Sequence, residues 1–303
     1  MVKKEFDVVV LGAGPAGLTA GIYAARYGMK VLILSENIGG MISYAEKLEN
    51  FPGFSGSGLE LIKKMTEQAK SVGCEILYKK VLNVIKTAKW FNVFTYDDEF
   101  SSKSIIIALG TEKRKLNIAG EDKFIGRGVS YCATCDAAFF KEMDVGVIGG
   151  CDSAAHTALL LAKIAKKVYV IYRKSELRCQ VKLYKQMQVN KKIEIINDSV
   201  PLEITGNGKV SGLVYDQGGK KQKLKIDGVF IEAGSVPSGY LVDKLKIQKD
   251  KQGFVIVNDK METNVRGVFS SGDINSDSIK QALIAAASGA TAAISANNYL
   301  KEN

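Results

Sequence analysis

Two cysteines three residues apart, Cys132 and Cys135, stand in the run Tyr131-Cys132-Ala133-Thr134-Cys135-Asp136. Thiols at that spacing fit on one helical turn, close enough to join as a disulfide. Cys132 would lie nearest the N-terminus of the turn, where free amides and the helix dipole lower a thiol pKa. The same spacing could serve zinc, but a tetrahedral site needs a second ligand pair. No other C-x-x-C occurs and His156 is the only histidine, so the pattern reads as redox.

Two glycine-rich segments flank this pair. Phe6 to Leu11 (FDVVVL) is an apolar, β-branched run of the kind found in parallel strands buried on both faces. It leads into Gly12-Ala13-Gly14-Pro15-Ala16-Gly17, a helical stretch from Leu18 to Tyr27, and a second strand from Lys30 to Leu34. In that setting Gly12 permits the tight turn, Gly14 lets backbone approach a pyrophosphate, and Gly17 lets helix pack on strand. The helix N-terminus offers amide donors to the phosphates. Glu36, 19 residues beyond Gly17, stands near the spacing of an acid that binds a ribose hydroxyl, with a surface-loop acid as the plain alternative.

The unit recurs. Asp144 to Ile148 is strand-like, Gly149-Gly150-Cys151-Asp152-Ser153-Ala154 approximates G-x-G-x-x-A, and Ala154 to Ala165 is helical in composition. After a strand from Val168 to Ile171 come Arg173, Lys174 and Arg178, where an NADP-binding unit places cations for the 2′-phosphate. A charged turn is the alternative. Two dinucleotide folds imply two dinucleotides with hydride passing between them, which suggests a flavin and a nicotinamide.

The rest of the chain must position these segments. Its 303 residues suffice for two domains, and 46% hydrophobic with 24% charged residues is the make-up of a soluble globular protein. No charged-then-apolar leader opens the chain, and the stretch Ala282 to Ala296 is too short and too polar to span a bilayer. A cytoplasmic protein is expected. The net charge of +10 comes from lysines spread along the whole chain, without the basic stripe and interleaved aromatics of a nucleic-acid surface. An acidic protein partner suits it better. Small residues in the C-terminal helix permit close helix packing.

Taken together, these motifs resemble the low-molecular-weight thioredoxin reductases. The glycine loop, Gly39-Gly40, Glu49-Asn50 with Pro52-Gly53, Gly126-Arg127-Gly128-Val129-Ser130, the C-A-T-C-D run, Gly149 to Ala154, and Gly272-Asp273 with Gln281-Ala282 occur in the family's order. The resemblance implies an α/β fold of two Rossmann-like dinucleotide-binding domains, the second inserted into the first. An FAD-binding domain would comprise 1–113 and 241–303, and a pyridine-nucleotide-binding-like domain 114–240 would carry the redox pair. It further implies a homodimer, a large domain rotation on hinges near 114–119 and 234–239, and a thioredoxin-like partner.

Carried over residue by residue, Cys135 engages the flavin, Cys132 attacks the partner disulfide and Asp136 handles the proton. FAD would contact Gly12, Gly14, Pro15, Ala16, Gly17, Glu36, Gly40, Met41, Asn50, Gly110, Gly272, Asp273, Lys280, Gln281 and Ala282. NADPH would contact Gly149, Gly150, Asp152, Ser153, Ala154, Arg173, Lys174 and Arg178.

The chain departs from the family pattern mainly around the second dinucleotide unit. Cys151 replaces a glycine, His156 and Thr157 an acidic pair, Tyr172 and Lys174 a His and an Arg, and Ser238 an Asn. Met41 and Lys280 are departures in the first. These leave three electron routes open: NADPH, another donor such as an acidic ferredoxin or reduced deazaflavin, or outward transfer from a dithiol to oxygen. A non-catalytic flavoprotein is the reading from a different class, opposed by the intact C-A-T-C-D. Cys74, Cys151 and Cys179 are expected as small buried thiols and His156 as a polar residue on a helix flank.

Overall fold

The computed structural model describes residues 4–45, 48–276 and 278–303. Its first strand, β1 (Lys4–Ala13), is buried from Val8 onward, because neighbours on both edges and cover on both faces leave it no solvent side. Helix α1 (Pro15–Arg26) follows, then β2 (Val31–Ile38), parallel to β1 with Val10 opposite Ile33. Next come the short pair β3 (Leu48–Phe51) and β4 (Phe54–Gly56), then α2 (Gly58–Ser71), opened by a capping box of Ser57 and Glu60. Strands β5 (Glu75–Tyr78), β6 (Asn83–Lys86), β7 (Phe91–Phe94) and β8 (Glu99–Ile107) complete a sheet in the order β5-β2-β1-β8-β7-β6.

Strand β9 (Thr111–Lys113) carries the chain into a second unit, Lys113–Ser235. There β10 (Val129–Ser130), α3 (Ala133–Asp136), β11 (Asp144–Ile148), α4 (Asp152–Ala162), β12 (Lys167–Ile171), α5 (Val181–Gln188) and β13 (Ile193–Ile196) alternate. An antiparallel meander of β14 (Ser199–Asn207), β15 (Lys209–Gln217) and β16 (Lys220–Leu224) precedes β17 (Gly228–Ile231). The parallel sheet of this unit runs β10-β17-β11-β12-β13, and Val145, Val147, Val168, Val170 and Leu161 fill its core.

Strand β18 (Ser235–Pro237) returns the chain to the first unit, which gains α6 (Tyr240–Lys244), β19 (Val268–Ser270) and α7 (Ala282–Glu302). β19 joins β8 in parallel, Phe269 opposite Ile106. The first unit is thus Met1–Glu112 with Val236–Asn303, and its second crossing lies five residues before the boundary expected at 240/241. Tyr240 Oη donates to the Val81 carbonyl at 2.7 Å and Ser238 N–H to that of Gly110 at 3.2 Å, which holds this segment in the first unit.

The small residues of α7 have the expected use. Ala285, Ala286, Gly289, Ala292, Ala293 and Ala296 are buried, and a β-carbon at Gly289 would stand 2.1 Å from the Ala16 carbonyl oxygen in α1. Glycine is the only residue that fits against that backbone. Gly289→Ala is expected to destabilise the protein by about 1–3 kcal/mol through overpacking, read as a fall in thermal midpoint. An unchanged midpoint would show that the helices part without cost.

Candidate active site: a dithiol turn and two glycine cradles

Cys132 and Cys135 form a disulfide across α3, with α-carbons 5.3 Å apart. Cys132 is the N-cap, and its Sγ accepts from the Cys135 amide at 3.2 Å. An amide aimed at sulfur favours the thiolate once the bond is reduced. Cys132 is half-buried, Cys135 exposed, and Asp136 half-buried at the end of the same turn. The Asp136 N–H donates to the Cys132 carbonyl at 3.1 Å.

Three residues that the sequence reading missed hold this turn. Ser130 Oγ accepts from the Cys132 N–H at 3.0 Å. Tyr131 Oη donates to Glu121, a carboxylate only 2% exposed that also accepts from the amides of Leu116 and Asn117 at 2.9 and 2.6 Å. Burial and the adjacent Glu121 charge push the Tyr131 phenol well above its ordinary pKa, so it remains a donor. A sequence cue was available only in part: an acid soon after glycine, Gly120-Glu121, with a tyrosine ahead of the cysteines.

In the first unit, β1, β8 and β19 end side by side, the place where open α/β sheets bind ligands. Gly12 has φ +107°, and a β-carbon there would stand 2.3 Å from the Ala108 carbonyl oxygen. A β-carbon on Gly17 would meet the Gly12 carbonyl oxygen at 1.9 Å, whereas Gly14 faces open space apart from the Gly39 carbonyl oxygen at 3.6 Å. Pro15 occupies the first turn of α1, which has no acidic residue and no side-chain cap, so its amides remain available to an anion. The Gly39 N–H donates to the Ala13 carbonyl at 2.8 Å and brings Gly40 and Met41 to this turn.

Asp273 and its neighbours meet the same turn. A β-carbon on Gly272 would stand 2.8 Å from Cβ of Ala16, which sets Asp273 beside the glycine loop. Asp273 Oδ1 is buried without a hydrogen-bond partner, and burial raises the carboxyl pKa against the opposing Lys280 charge. Lys280 Nζ donates to the carbonyls of Asp273 and Asn275 at 2.6 and 3.1 Å. Asn50 Nδ2 donates to Gln281 Oε1 at 2.6 Å, with Ala282 next in α7. Gly110, with φ +65°, follows β8. Glu36 lies within β2 rather than beyond it and pairs with Lys80 at 3.0 Å. An unpartnered buried acceptor beside a turn that only glycine can form fits a flavin dinucleotide, with hydroxyls for Asp273 and phosphates for the α1 amides.

In the second unit a β-carbon on Gly149 would stand 2.4 Å from the Glu232 carbonyl oxygen, and one on Gly150 2.4 Å from the Tyr172 ring. Gly150 is therefore covered by an aromatic that also accepts from Arg178 Nε at 3.1 Å. Ser153 is exposed, Ala154 buried, and Asp152 accepts from Gln180 N–H and Nε2 at 2.7 and 2.9 Å. Arg173, Lys174 and Arg178 are exposed, as is His156 on α4, its expected flank position. Cys74 is buried as expected. Cys151 and Cys179 correct that expectation, Cys151 being exposed as the N-cap of α4 and Cys179 half-buried. The cap position explains the first: an N-cap in extended backbone stands outside the helix and its packed face.

Among the described residues no three His, Cys, Asp or Glu side chains gather as a metal site, and no helix is long and apolar enough to cross a membrane. A family model described as pyridine nucleotide-disulphide oxidoreductase matches residues 6–289. The thioredoxin reductase of Bacillus subtilis is 38% identical, covering 99% of this chain and 96% of its own, and that of Aquifex aeolicus is 39% identical over 98% and 94%. The crystal structure of Lactococcus lactis thioredoxin reductase (FR conformation) superposes with a TM-score of 0.95 at 39% identity, covering 98% of this chain and 100% of the other. That of the T. acidophilum enzyme gives 0.91 at 34% identity over 98% and 99%.

Proposed function

Since the chain belongs to the pyridine nucleotide-disulphide oxidoreductases, in the low-molecular-weight thioredoxin reductase branch, we propose that it passes electrons from NADPH through FAD and the Cys132–Cys135 pair to a thioredoxin-type disulfide. The observation that carries the proposal is the dithiol turn itself, with a disulfide closed across α3 and an amide aimed at the Cys132 sulfur. FAD, when bound, supplies a two-electron relay between a hydride donor and the dithiol. Gly12, Gly14 and Gly17 would give its pyrophosphate close backbone approach, Asp273 would accept from a hydroxyl, and Asn50, Gln281 and Ala282 would border its ring. The first unit is then the FAD domain and the second the pyridine-nucleotide domain.

The protein's own chemistry starts from the reduced pair. The Cys132 thiolate attacks one sulfur of the partner disulfide, forming a mixed disulfide and releasing the other partner sulfur as thiolate. The Cys135 thiolate then attacks Cys132 Sγ, which closes the intramolecular bond and frees the second partner thiolate. Asp136, at the end of the turn, gives or takes the proton. Ser130 and the Glu121–Tyr131 hydrogen bond hold the strand that leads into the pair, so the sulfurs keep their spacing through the exchange.

Arg173, Lys174 and Arg178 support NADPH as donor, since three exposed cations beside a glycine turn suit a 2′-phosphate. One observation favours a second donor, such as a ferredoxin or reduced deazaflavin. Cys151 caps the helix where the family has glycine, and the neighbouring Asp152 is engaged by Gln180. Anaerobic mixing of the FAD-loaded protein with NADPH, NADH and dithionite separates the two readings. Rapid bleaching of the flavin band by NADPH is expected; bleaching by dithionite alone would remove the nicotinamide donor. A homodimer belongs to the same proposal, supported by the exposed apolar side chains of Ile279, Leu283 and Ile284 around the start of α7.

A further inference from the structure

Two thiols in the second unit take no part in the electron path. Cys151 and Cys179 are both free, one exposed and the other half-buried. They stand on two segments tied together on either side of them. The Arg178 N–H donates to the Gly150 carbonyl at 2.6 Å, and Gln180 donates through its N–H and Nε2 to the Asp152 carboxylate at 2.7 and 2.9 Å. Both ties run in the same sense, 150 to 178 and 152 to 180, so residues 151 and 179 occupy the matching positions between them. A backbone hydrogen bond on one side and a carboxylate bridge on the other hold the two cysteines near one another. A disulfide between them requires α-carbons about 4.4–6.8 Å apart.

A cation stands beside the exposed member of the pair. The Arg178 guanidinium, held by Tyr172 Oη at 3.1 Å, has its pKa raised first by that tyrosine and then by the Cys151 sulfur beside it. A sulfur anion in an exchange reaction therefore has a counter-charge in place. Burial, with Asp152 and Cys151 adding to it, pushes the Cys179 thiol up. The two sulfurs differ in exposure in the way that suits an entering and a resolving thiol: Cys151 is open to solvent, and Cys179 is half-buried.

We propose that Cys151 and Cys179 are a second thiol pair, separate from the Cys132–Cys135 dithiol, which a low-molecular-weight disulfide converts into an intramolecular disulfide. The thiolate of Cys151 attacks one sulfur of the small disulfide, forming a mixed disulfide and releasing one small thiolate. Cys179, deprotonated, attacks Cys151 Sγ and releases the second. Two protein thiols and one small disulfide become one protein disulfide and two small thiols, so electrons and protons balance. The bridge pins the glycine turn that ends β11 to the segment bearing Arg173, Lys174 and Arg178. Its consequence, weaker NADPH binding under oxidising conditions, rests on the reading of the second unit as the nucleotide domain.

The FAD-loaded enzyme is incubated with excess 2-hydroxyethyl disulfide, alkylated with iodoacetamide, and digested with trypsin without reduction. Trypsin leaves Cys151 in peptide 142–163 and Cys179 in peptide 179–182, while Cys132 and Cys135 share peptide 128–141. The expected product is peptide 142–163 joined to 179–182, accounting for most of the Cys151. In Cys179→Ser, Cys151 is expected to keep the mercaptoethanol adduct instead. Carbamidomethyl groups on both residues of the wild-type enzyme, or an unresolved adduct on wild-type Cys151, would overturn the pair. Titration of both forms with NADP⁺ tests the consequence separately, with a Kd roughly tenfold higher in the bridged form expected. An unchanged Kd overturns the consequence. Failure of the reduced form to bind NADP⁺ overturns the nucleotide reading, and the joined peptide still establishes the pair.

Discussion

Serine in place of Cys135 abolishes reduction of a thioredoxin-type disulfide, by on the order of a thousandfold or more, while the flavin band still bleaches with NADPH. The two thiols act as one unit, so loss of either removes the whole path from flavin to partner. The serine hydroxyl of Cys135→Ser cannot close the intramolecular bond, and the mixed disulfide formed by Cys132 has no resolving group. That difference gives the variant a signature beyond lost turnover. Cys135→Ser, once reduced and mixed with oxidised thioredoxin, should accumulate a covalent 1:1 adduct on Cys132, visible on a non-reducing gel. Normal turnover with the partner would take the pair out of the electron path, and with it the proposed function.

A β-carbon at Gly17 carries the second large effect. It would stand 1.9 Å from the Gly12 carbonyl oxygen and 2.9 Å from the carbonyl carbon, backbone atoms that no rotamer change can move aside. The turn between β1 and α1 must open, and the α1 amides proposed to face the phosphates move with it. Gly17→Ala is expected to weaken FAD binding about a hundredfold, near 2.7 kcal/mol by the relation between affinity and free energy. The measurement is the flavin-to-protein ratio after purification, followed by fluorescence titration of the apoprotein with FAD. The far-UV circular dichroism of the variant separates lost cofactor from lost fold. A yellow, fully occupied variant would show that the turn does not hold the pyrophosphate.

Much of this was written in local patterns. The apolar run Phe6–Leu11 and the strand-like Asp144–Ile148 appear as β1 and β11, each with a parallel neighbour on both edges, since strands covered on both faces carry little polar alternation. The glycine turns after them lie where strand, turn and helix order placed them. The C-x-x-C lies on a single turn because three residues span about one turn of helix. Boundaries were less exact. Helix α4 starts at Asp152 and ends at Ala162, against an expected Ala154 to Ala165, because the extended N-cap at Cys151 sets its first turn earlier.

The sequence by itself determined the chemistry of this protein: a redox pair, two dinucleotide turns and the cations near the second are each read within six or seven residues, and covalent spacing keeps such residues together. Only the tertiary structure decided what surrounds them. Asn50 meets Gln281 across 231 residues of chain, Tyr131 meets Glu121 across ten, and the Asp273 carboxylate is left with a buried, unpartnered oxygen. The same holds for Cys151 and Cys179, expected as separate buried thiols and found on two segments tied on either side of them. Periodicity reports which face of an element is apolar, but not which distant segment packs against it. That choice is made by the fit of whole sheets and helices, where a hydrogen bond between far-apart residues depends on every element between them.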